Sequence, residues 1–486
     1  MNAPAVVIAA PASGSGKTTL ATGLIGALRR AGHSVAPFKV GPDYIDPGYH
    51  GLAAGRPGRN LDPVLVGADR VVPLYQHGTQ GCDIAVVEGV MGLFDGRIDE
   101  NHSGPVAEGS TAQVASLLGA PVILVVDARG HSQSLAALLH GFATFDSGIR
   151  LGGVILNRVG SERHDQVLRA ACSRVGLPVL GSLPRMAELE VPSRHLGLIP
   201  AVEHGTAATA AVAAMTDLVA AHVDLAAIAA LARSTVDGPA WDPQEAVRPS
   251  RSVARRPGVT PGSTGESQGP RADTAEPSGV VIAMAGGPAF TFGYAEHREL
   301  LAAAGAQVEV FDPMRDELPT GTAGLVLPGG FPEEHAAELA GNTRLLKAVG
   351  ELARMGMPIH AECAGLLYLT RSLDGHPMAG VVDADAEFGP RLTLGYRDAV
   401  ALADSVLWQA GQRVRGHEFH RTRLVAAGAD APAWGWHGNQ GERVREGAMV
   451  HQVHASYLHT HPAGNPEAVT RFVTAAADYA RTHAAT

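Results

Sequence analysis

Hydrophobic positions in this chain fall into short continuous runs separated by longer stretches of mixed character. Up to residue 184 the runs are AVVIAA (5–10), SVAPFKV (34–40), DIAVVEGV (83–90), PVILVVD (121–127), GGVILNRV (152–159) and PVLGSLP (178–184). None alternates with period two, which predicts strands buried on both faces of a parallel sheet. The Ala/Leu-rich segments between them, such as 17–30 and 133–142, predict crossover helices. Strands and helices in alternation make a doubly wound α/β unit. A helical, Ala-rich segment follows at 202–232.

A second series starts at GVVIAMAGG (279–287) and continues through QVEVFDP (307–313), GLVLPGG (324–330) and PIHAEC (358–363). It predicts a second doubly wound unit, with a mixed β and loop region behind it and a helix at 466–481. Between the two series, residues 234–278 are rich in Pro, Gly, Ser and Arg and nearly free of large apolar side chains. Such a stretch cannot bury enough surface to fold and reads as a linker. The expected division is therefore 1–233, a linker at 234–278, and 279–486.

Composition narrows the chemistry. Of 486 residues, 45% are hydrophobic and 18% charged, enough apolar material for real cores. The net charge of −10 (38 basic against 48 acidic residues) argues against general nucleic-acid binding, which needs a strong basic face. Three scattered cysteines, Cys82, Cys172 and Cys363, give neither a disulfide framework nor a CxxC metal site. The first residues lack a basic leader pattern, and no apolar run reaches the ~18 residues of a membrane span. A soluble, cytoplasmic protein without membrane or nucleic-acid partners is expected, with a homodimer left open.

PASGSGKTT (11–19) lies directly between a strand and a helix, the setting a phosphate-binding loop requires. Its glycines let backbone N–H groups turn toward phosphate oxygens, and the helix N-terminus adds its dipole. Ser13, Gly14, Ser15, Gly16, Lys17, Thr18 and Thr19 are the expected nucleotide contacts. Lys17 would reach the terminal phosphates of ATP, and the Thr18 hydroxyl would bind Mg²⁺. One departure is Pro11 in place of the first glycine of the motif. Acids follow at other strand ends: Asp43 and Asp46 in FKVGPDYIDPGYH (38–50), Glu88 and Asp95 in VVEGVMGLFDG (86–96). In a doubly wound sheet such ends converge on one crevice, so these acids and Lys39 should face the phosphates.

In the second unit, PIHAECAGLLYL (358–369) sets Cys363 between an apolar strand and a helix start. That is the setting of a nucleophile elbow, where a helix N-terminus favours thiolate. Gly365 follows as the elbow pattern requires, whereas Ala361 replaces the leading glycine, predicting a looser turn. The glycine pair of LPGGFPEE (327–334) supplies Gly330, whose N–H, with that of Ala364, could form an oxyanion hole worth roughly 3 kcal/mol per donor. HASYLHTHPAGNP (454–466) offers His454, His459 and His461 as the base. The neighbouring HEFH (417–420) lacks the spacing of an HExxH zinc site, so no metal is expected there.

These strings together carry a resemblance. PASGSGKTT, FKVGPDYIDPGYH, NLDP (60–63), VVEGVMGLFDG and RHLGLIP (194–200) resemble the N-terminal, dethiobiotin-synthetase-like domain of cobyrinate and hydrogenobyrinate a,c-diamide synthases. RGHEFHRT (415–422) and HASYLHTH (454–461) resemble the same family's class I (triad-type, flavodoxin-like) glutamine amidotransferase domain. The resemblance implies ATP- and glutamine-dependent amidation of corrinoid carboxylates, with ATP and Mg²⁺ required and a corrinoid macrocycle and glutamine as small-molecule substrates. It puts Thr18, Asp43 and Glu88 at the metal, Lys39, Tyr44, Asp46 and Asp95 at the substrate and phosphoryl group, and Asn157 of ILNRV (155–159) at the adenine. It points to His459 as the base for Cys363. The Glu usual two residues after that histidine is His461 here, which leaves a Cys–His dyad, and GYAEHREL (293–300) has His297 where the family commonly has Asn.

Two rivals stay open at this stage. A cobyric acid synthase has the same two-part plan but amidates other side chains, and a partition-type ATPase switch shares only the first half. Limited proteolysis tests the division of the chain. First cuts are expected between about Ser234 and Ser278, leaving two stable fragments, because few residues there can pack; first cuts inside either α/β unit would refute the division.

Overall fold

Six of the predicted apolar runs, joined by a short seventh strand, form a single sheet in the computed structural model, which describes residues 3–98, 104–185, 193–194, 197–198, 200–248, 279–428, 430–438 and 441–483. The strands are β1 (Ala5–Ala9), β2 (Val35–Val40), β3 (Arg59–Leu61), β4 (Ile84–Glu88), β5 (Val122–Asp127), β6 (Leu151–Val159) and β7 (Val179–Pro184). They run in the order β3-β2-β4-β1-β5-β6-β7, and every adjacent pair is parallel. Every residue of β1, β2 and β4 is buried, which is why these runs show no alternation.

The helix Lys17–Arg30 follows β1 and packs against the Ala-rich helix Ala201–His222. The contact is close because two glycines permit it. A Cβ on Gly23 would lie 2.4 Å from the Met215 carbonyl oxygen, and one on Gly26 would lie 2.1 Å from Thr216 Oγ1. Of the string RHLGLIP, His195, Leu196 and Ile199 lie outside the described residues; Arg194, Gly197 and Leu198 belong to a two-residue pair, β8 (Ser193–Arg194) against β9 (Gly197–Leu198), and Pro200 precedes the helix Ala201–His222.

The second unit is built on β10 (Val280–Ala285), β11 (Ala306–Phe311), β12 (Thr322–Leu327) and β13 (Ile359–Glu362), parallel in the order β11-β10-β12-β13. Beyond β13 the chain forms β14 (Ser372–Leu373), β15 (His376–Pro377), then a long antiparallel ribbon of β16 (Asp385–Ala401) and β17 (Arg413–Val425). After β18 (Trp434–His437) and β19 (Arg443–Glu446), β20 (Ala448–Val450) and β21 (Val453–Ser456) return to the parallel sheet, with β21 beside β13. The two residues of β22 (His459–Thr460) pair with β17 instead. The chain thus crosses from one sheet to the other between Ser456 and His459. The last helix, Pro466–His483, lays Val469, Phe472, Val473 and Ala476 against the second unit.

The halves share an interface of apolar and charged contacts. Phe292 and Phe331 of the second unit belong to the same buried cluster as Ile8, Leu24 and Tyr49 of the first. Arg59 reaches Glu296 at 2.6 Å and pairs with Glu299, which also lies 2.9 Å from His77. The Tyr396 hydroxyl on β16 donates to Asp62 at 3.0 Å, and Arg415 on β17 reaches Glu108 at 2.7 Å.

The start of the expected linker is packed. The Thr235 N–H donates to the Leu118 carbonyl and the Trp241 N–H to that of Pro73. Val236 and Trp241 are buried, the latter edge-on to His77. Residues 234–241 are therefore seated on the first unit, one valine and one tryptophan sufficing in a segment whose average composition is polar, whereas the Val247 carbonyl accepts from the Thr470 hydroxyl of the last helix at 3.4 Å. The remainder of the expected linker, 249–278, lies outside the described residues.

Candidate active sites

The turn after β1 has the backbone its glycines predict. Gly14 and Gly16 both have positive φ (77° and 93°), and the helix Lys17–Arg30 begins without a side-chain cap on its free N–H groups. That leaves an uncapped, positive helix end for an anion. Lys17 is buried, and its ammonium donates to the Met91 carbonyl at 2.5 Å, placing the loops after β1 and β4 side by side. Burial, and the nearby Lys39 charge, lower the Lys17 pKa.

Beside it lies a buried cluster of opposite charges. The Thr18 hydroxyl donates to Glu88 Oε1 at 2.7 Å and stands 3.2 Å from Asp46 Oδ2. The Lys39 ammonium bonds Asp46 at 2.7 Å and Glu88 at 3.0 Å. His50 Nε2 lies 2.7 Å from the other Glu88 oxygen. Burial works against charge throughout, yet Lys39 and His50 hold Glu88 down at about 2, while Asp46, beside Asp43, is pushed up to about 6. Lys39 itself is held charged, against burial, by Asp46 and Glu88.

This donor set suits Mg²⁺: a hydroxyl and two carboxylate oxygens within 3.2 Å are hard oxygen ligands. Among the described residues no group of three or more His, Cys, Asp or Glu could hold a metal alone, so an ion here would depend on phosphate oxygens for the rest of its shell.

The structure distributes the other expected residues unevenly. Asp43 turns Oδ1 to the N–H groups of Ile45 and Asp46, at 2.8 and 3.0 Å, and so folds the loop. The carboxylate it was expected to present beside Thr18 is supplied by Asp46. Asp95 Oδ2 accepts from the Gly92 N–H at 2.9 Å, within the same loop as Met91. Asn157 donates to the Ser15 carbonyl at 2.9 Å, behind Gly16, where a Cβ would meet its amide at 2.3 Å. Ser13 and Ser15 lie in the loop, Ser15 turning its hydroxyl to the Ala12 carbonyl at 2.9 Å, and Thr19 lies in the first turn of the helix.

Arg158 and Asp127 were not anticipated. Arg158 donates to the Gly14 carbonyl at 3.0 Å and pairs with Asp127 at 2.7 Å, bracing the loop from β6. The signal was available in ILNRV, one residue beyond the asparagine.

Tyr44 is a correction. It was expected at the substrate, but its ring leaves the phosphate crevice and enters the second unit. It stacks on Phe292 (centroids 5.0 Å apart, planes 12° apart) and lies 5.0 Å from Tyr294 and 5.1 Å from His459. The reason is physical: an aromatic ring finds apolar partners there, whereas the crevice is filled by charges.

Those partners surround the second site. Cys363 occupies a strained turn (φ 48°, ψ −98°) between β13 and the helix Ala364–Leu369, with its N–H bonded to the Ser456 carbonyl at 2.7 Å. The backbone N–H groups of Gly330 and Ala364 both approach its sulfur. Burial, then Glu333, push the thiol pKa up, so the thiolate needs a base. Ala361, at the position where the elbow pattern has glycine, is fully buried. Gly365 is the position where room is critical: a Cβ there would lie 2.2 Å from the Leu327 carbonyl oxygen.

Of the three candidate bases, His454 packs edge-on to Trp434, and His461 lies against Tyr294 and caps the turn at Ala463. The His459 ring instead presses on Gly329, where a Cβ would lie 2.3 Å from its Cε1. Since Gly329 touches His459 and Gly330 touches Cys363, ring and thiol share one turn. The His459 Nδ1 lies 3.6 Å from Glu362 Oε2, an acid next to the nucleophile that sequence reasoning missed. Its signal, the Glu in AEC, was plain but had no known register to His459.

Comparison with known proteins adds to this geometry. Residues 6–199 match the model of the CobQ/CobB/MinD/ParA nucleotide binding domain, and residues 281–466 that of the CobB/CobQ-like glutamine amidotransferase domain. The chain is 60% identical to a hydrogenobyrinate a,c-diamide synthase of Mycobacterium bovis, over 98% of this chain and 99% of that protein. It is 57% identical to one of Streptomyces coelicolor, over 97% of each. To a cobyrinate a,c-diamide synthase of Gloeobacter violaceus it is 41% identical, over 96% of each.

Two substitutions test the crevice. Lys17→Ala removes the charge nearest the loop's phosphate position and is expected to cut ATP turnover by about 100-fold or more; near-normal turnover would refute the assignment. Glu88→Gln keeps the shape but removes a hard anion, so the Mg²⁺ concentration for half-maximal ATP turnover should rise about tenfold. An unchanged Mg²⁺ dependence would take Glu88 out of the metal shell.

Proposed function

Because the chain belongs to the hydrogenobyrinate and cobyrinate a,c-diamide synthase family, we propose that it amidates the a and c carboxylates of hydrogenobyrinate, spending ATP and taking ammonia from glutamine. One observation carries the reading of the sites: a phosphate-loop crevice and a Cys363 elbow stand on opposite sides of one interface, which Tyr44 crosses to meet His459. A nucleotide switch has no use for the second of these.

Chemistry explains the division. A carboxylate is a poor electrophile until one of its oxygens can leave as phosphate. In the first site the substrate carboxylate attacks the γ-phosphorus, ADP departs, and an acyl phosphate forms. Lys17 and Lys39 balance the charge on the transferred group. Mg²⁺ held near Thr18, Asp46 and Glu88 would neutralise phosphate charge. In the second site Cys363 attacks the glutamine amide, with the oxyanion received by the N–H groups of Gly330 and Ala364. His459 takes the thiol proton and returns it to the departing ammonia, and water then hydrolyses the glutamyl thioester, releasing glutamate and the free thiol. Ammonia then attacks the acyl carbon, phosphate leaves, and the amide remains. Ammonia lost to bulk water would be protonated and inert, which favours the closed, aromatic interface between the sites.

The cobalt-free substrate is favoured because the relatives at 60% and 57% identity are named for hydrogenobyrinate and the one at 41% for cobyrinate. Cytoplasmic chemistry is consistent with the absence of any described helix long and apolar enough to cross a membrane.

Incubation of each macrocycle with MgATP and glutamine, with products weighed by mass spectrometry, tests the substrate: diamide should form from hydrogenobyrinate at a kcat/KM at least about tenfold above that for cobyrinate. The division of labour is tested by Cys363→Ala. Glutaminase and glutamine-dependent amidation should fall by about 10⁴-fold or more, while amidation with added ammonium salts continues. His459→Ala should behave alike and His461→Ala should cost far less. A diazo-ketone analogue of glutamine should label Cys363 and neither Cys82 nor Cys172. Loss of ammonia-dependent amidation in folded Cys363→Ala protein would overturn the scheme.

A further inference from the structure

The histidine at the amidotransferase site lacks the acid that usually follows it two residues later, since His461 fills that position and turns away to Tyr294. A lone imidazole serving a buried thiol is a weak arrangement. The ring must carry its proton on the nitrogen remote from sulfur, and a charge develops on it in a region from which water is excluded. The structure contains an acid placed to meet both needs. We propose that Glu362, the residue immediately before the nucleophile, is the positioning residue for His459 and completes a triad of unusual connectivity. This rests on the reading of Cys363 and His459 given above.

Three observations carry it. First, Glu362 Oε2 lies 3.6 Å from His459 Nδ1, and Glu362 is the acid within ion-pair distance of that ring among the described residues. Second, the carboxylate is itself fixed. Its Oε1 accepts from the Thr460 N–H at 3.1 Å and the Thr460 hydroxyl at 2.9 Å, and His360 Nε2 lies 3.2 Å away. A carboxylate held by donors on one oxygen directs the other, as an orienting acid must. Third, Gly329, Tyr44 and Phe292 pack against the ring, and its Nδ1 lies on the side of Glu362. The surroundings of Glu362 keep it ionised in spite of burial, His360 and His459 outweighing the cost.

The connectivity follows from the fold. Glu362 ends β13 and Thr460 lies on β22, in the segment where the chain leaves one sheet for the other. The residue following the base, and the residue preceding the nucleophile, therefore hold one another. In the more usual arrangement both base and acid come from the same short segment.

Glu362→Gln preserves an acceptor for Thr460 and removes only the charge. With the full chain and glutamine as substrate, glutaminase kcat should fall by about 100-fold or more while KM for glutamine stays within about threefold. Labelling of Cys363 by the diazo-ketone analogue should slow by a similar factor, and Glu362→Asp should recover part of the loss. A role in packing alone would move the thermal midpoint and KM and would not be rescued by Asp. Should Glu362→Gln fail to fold, Thr460→Val, which deletes one donor to the carboxylate, serves instead and should lower kcat about tenfold. A kcat within about threefold of wild type in either folded variant overturns the inference. The site reading stands or falls separately, on whether Cys363→Ala and His459→Ala abolish glutaminase in the same assay.

Discussion

Two carboxylates buried at neighbouring strand ends can both stay useful only if a positive charge stands between them, and here that charge is the Lys39 ammonium. Glu88 is fully buried on β4, and Asp46 begins the helix Asp46–Ala54. Without Lys39 at 2.7 and 3.0 Å, one of them would take up a proton. The tie also has a mechanical consequence. Lys39 lies on β2 and Asp46 seven residues later, so the pair closes the loop 41–46 onto the sheet, and Asp43 completes the closure by accepting two N–H groups within it. Tyr44 stands at the apex of that loop. Its entry into the second unit is thus set by the electrostatics of the first.

The interface gives the same result from the other side. Asp62 caps the short helix Pro63–Val66 through two N–H groups and also accepts from Tyr396. Burial pushes its pKa up to about 6, while donors from both halves, the Leu65 and Val64 N–H groups and the Tyr396 hydroxyl, work against that rise. Tyr396 is opposite His417 in the β16–β17 ribbon, and His417 is opposite His459 across β17 and β22. The amidotransferase base is consequently in contact with Tyr44 and lies two strands from Tyr396, a residue bonded to the first unit.

How much of this was legible depended on the range of the interactions. The runs at 5–10, 34–40 and 83–90 announced buried parallel strands because all three lie fully inside. The loop 11–19 and the Cys363 elbow were legible because phosphate binding and a nucleophile on a tight turn each require a local backbone that glycines mark. What escaped depends on distant partners. Trp241, amid a polar stretch, found His77 and the Pro73 carbonyl. Tyr44 sits in a string otherwise devoted to phosphate chemistry, and nothing local says that its ring belongs to Phe292. The pairing of Glu362 with His459 joins positions 97 residues apart through a sheet crossing with no sequence signature.

Strain concentrates where the chemistry requires it. A non-glycine residue at φ 48° and ψ −98° costs on the order of 1–3 kcal/mol, and Cys363 keeps that conformation only because its neighbours permit no other. Its N–H is tied to Ser456 on one side, its carbonyl receives the Leu367 N–H on the other, and Gly365 lets the chain lie where a Cβ would come within 2.2 Å of the Leu327 carbonyl oxygen. The same backbone turns the Ala364 N–H toward the sulfur and leaves Glu362 pointing at the base. Burial meanwhile keeps the thiol protonated at rest. A thiol that is protonated, strained and enclosed reacts only when a substrate fills the site and the base is correctly held. That restraint suits an enzyme for which ammonia made before the acyl phosphate exists would be wasted.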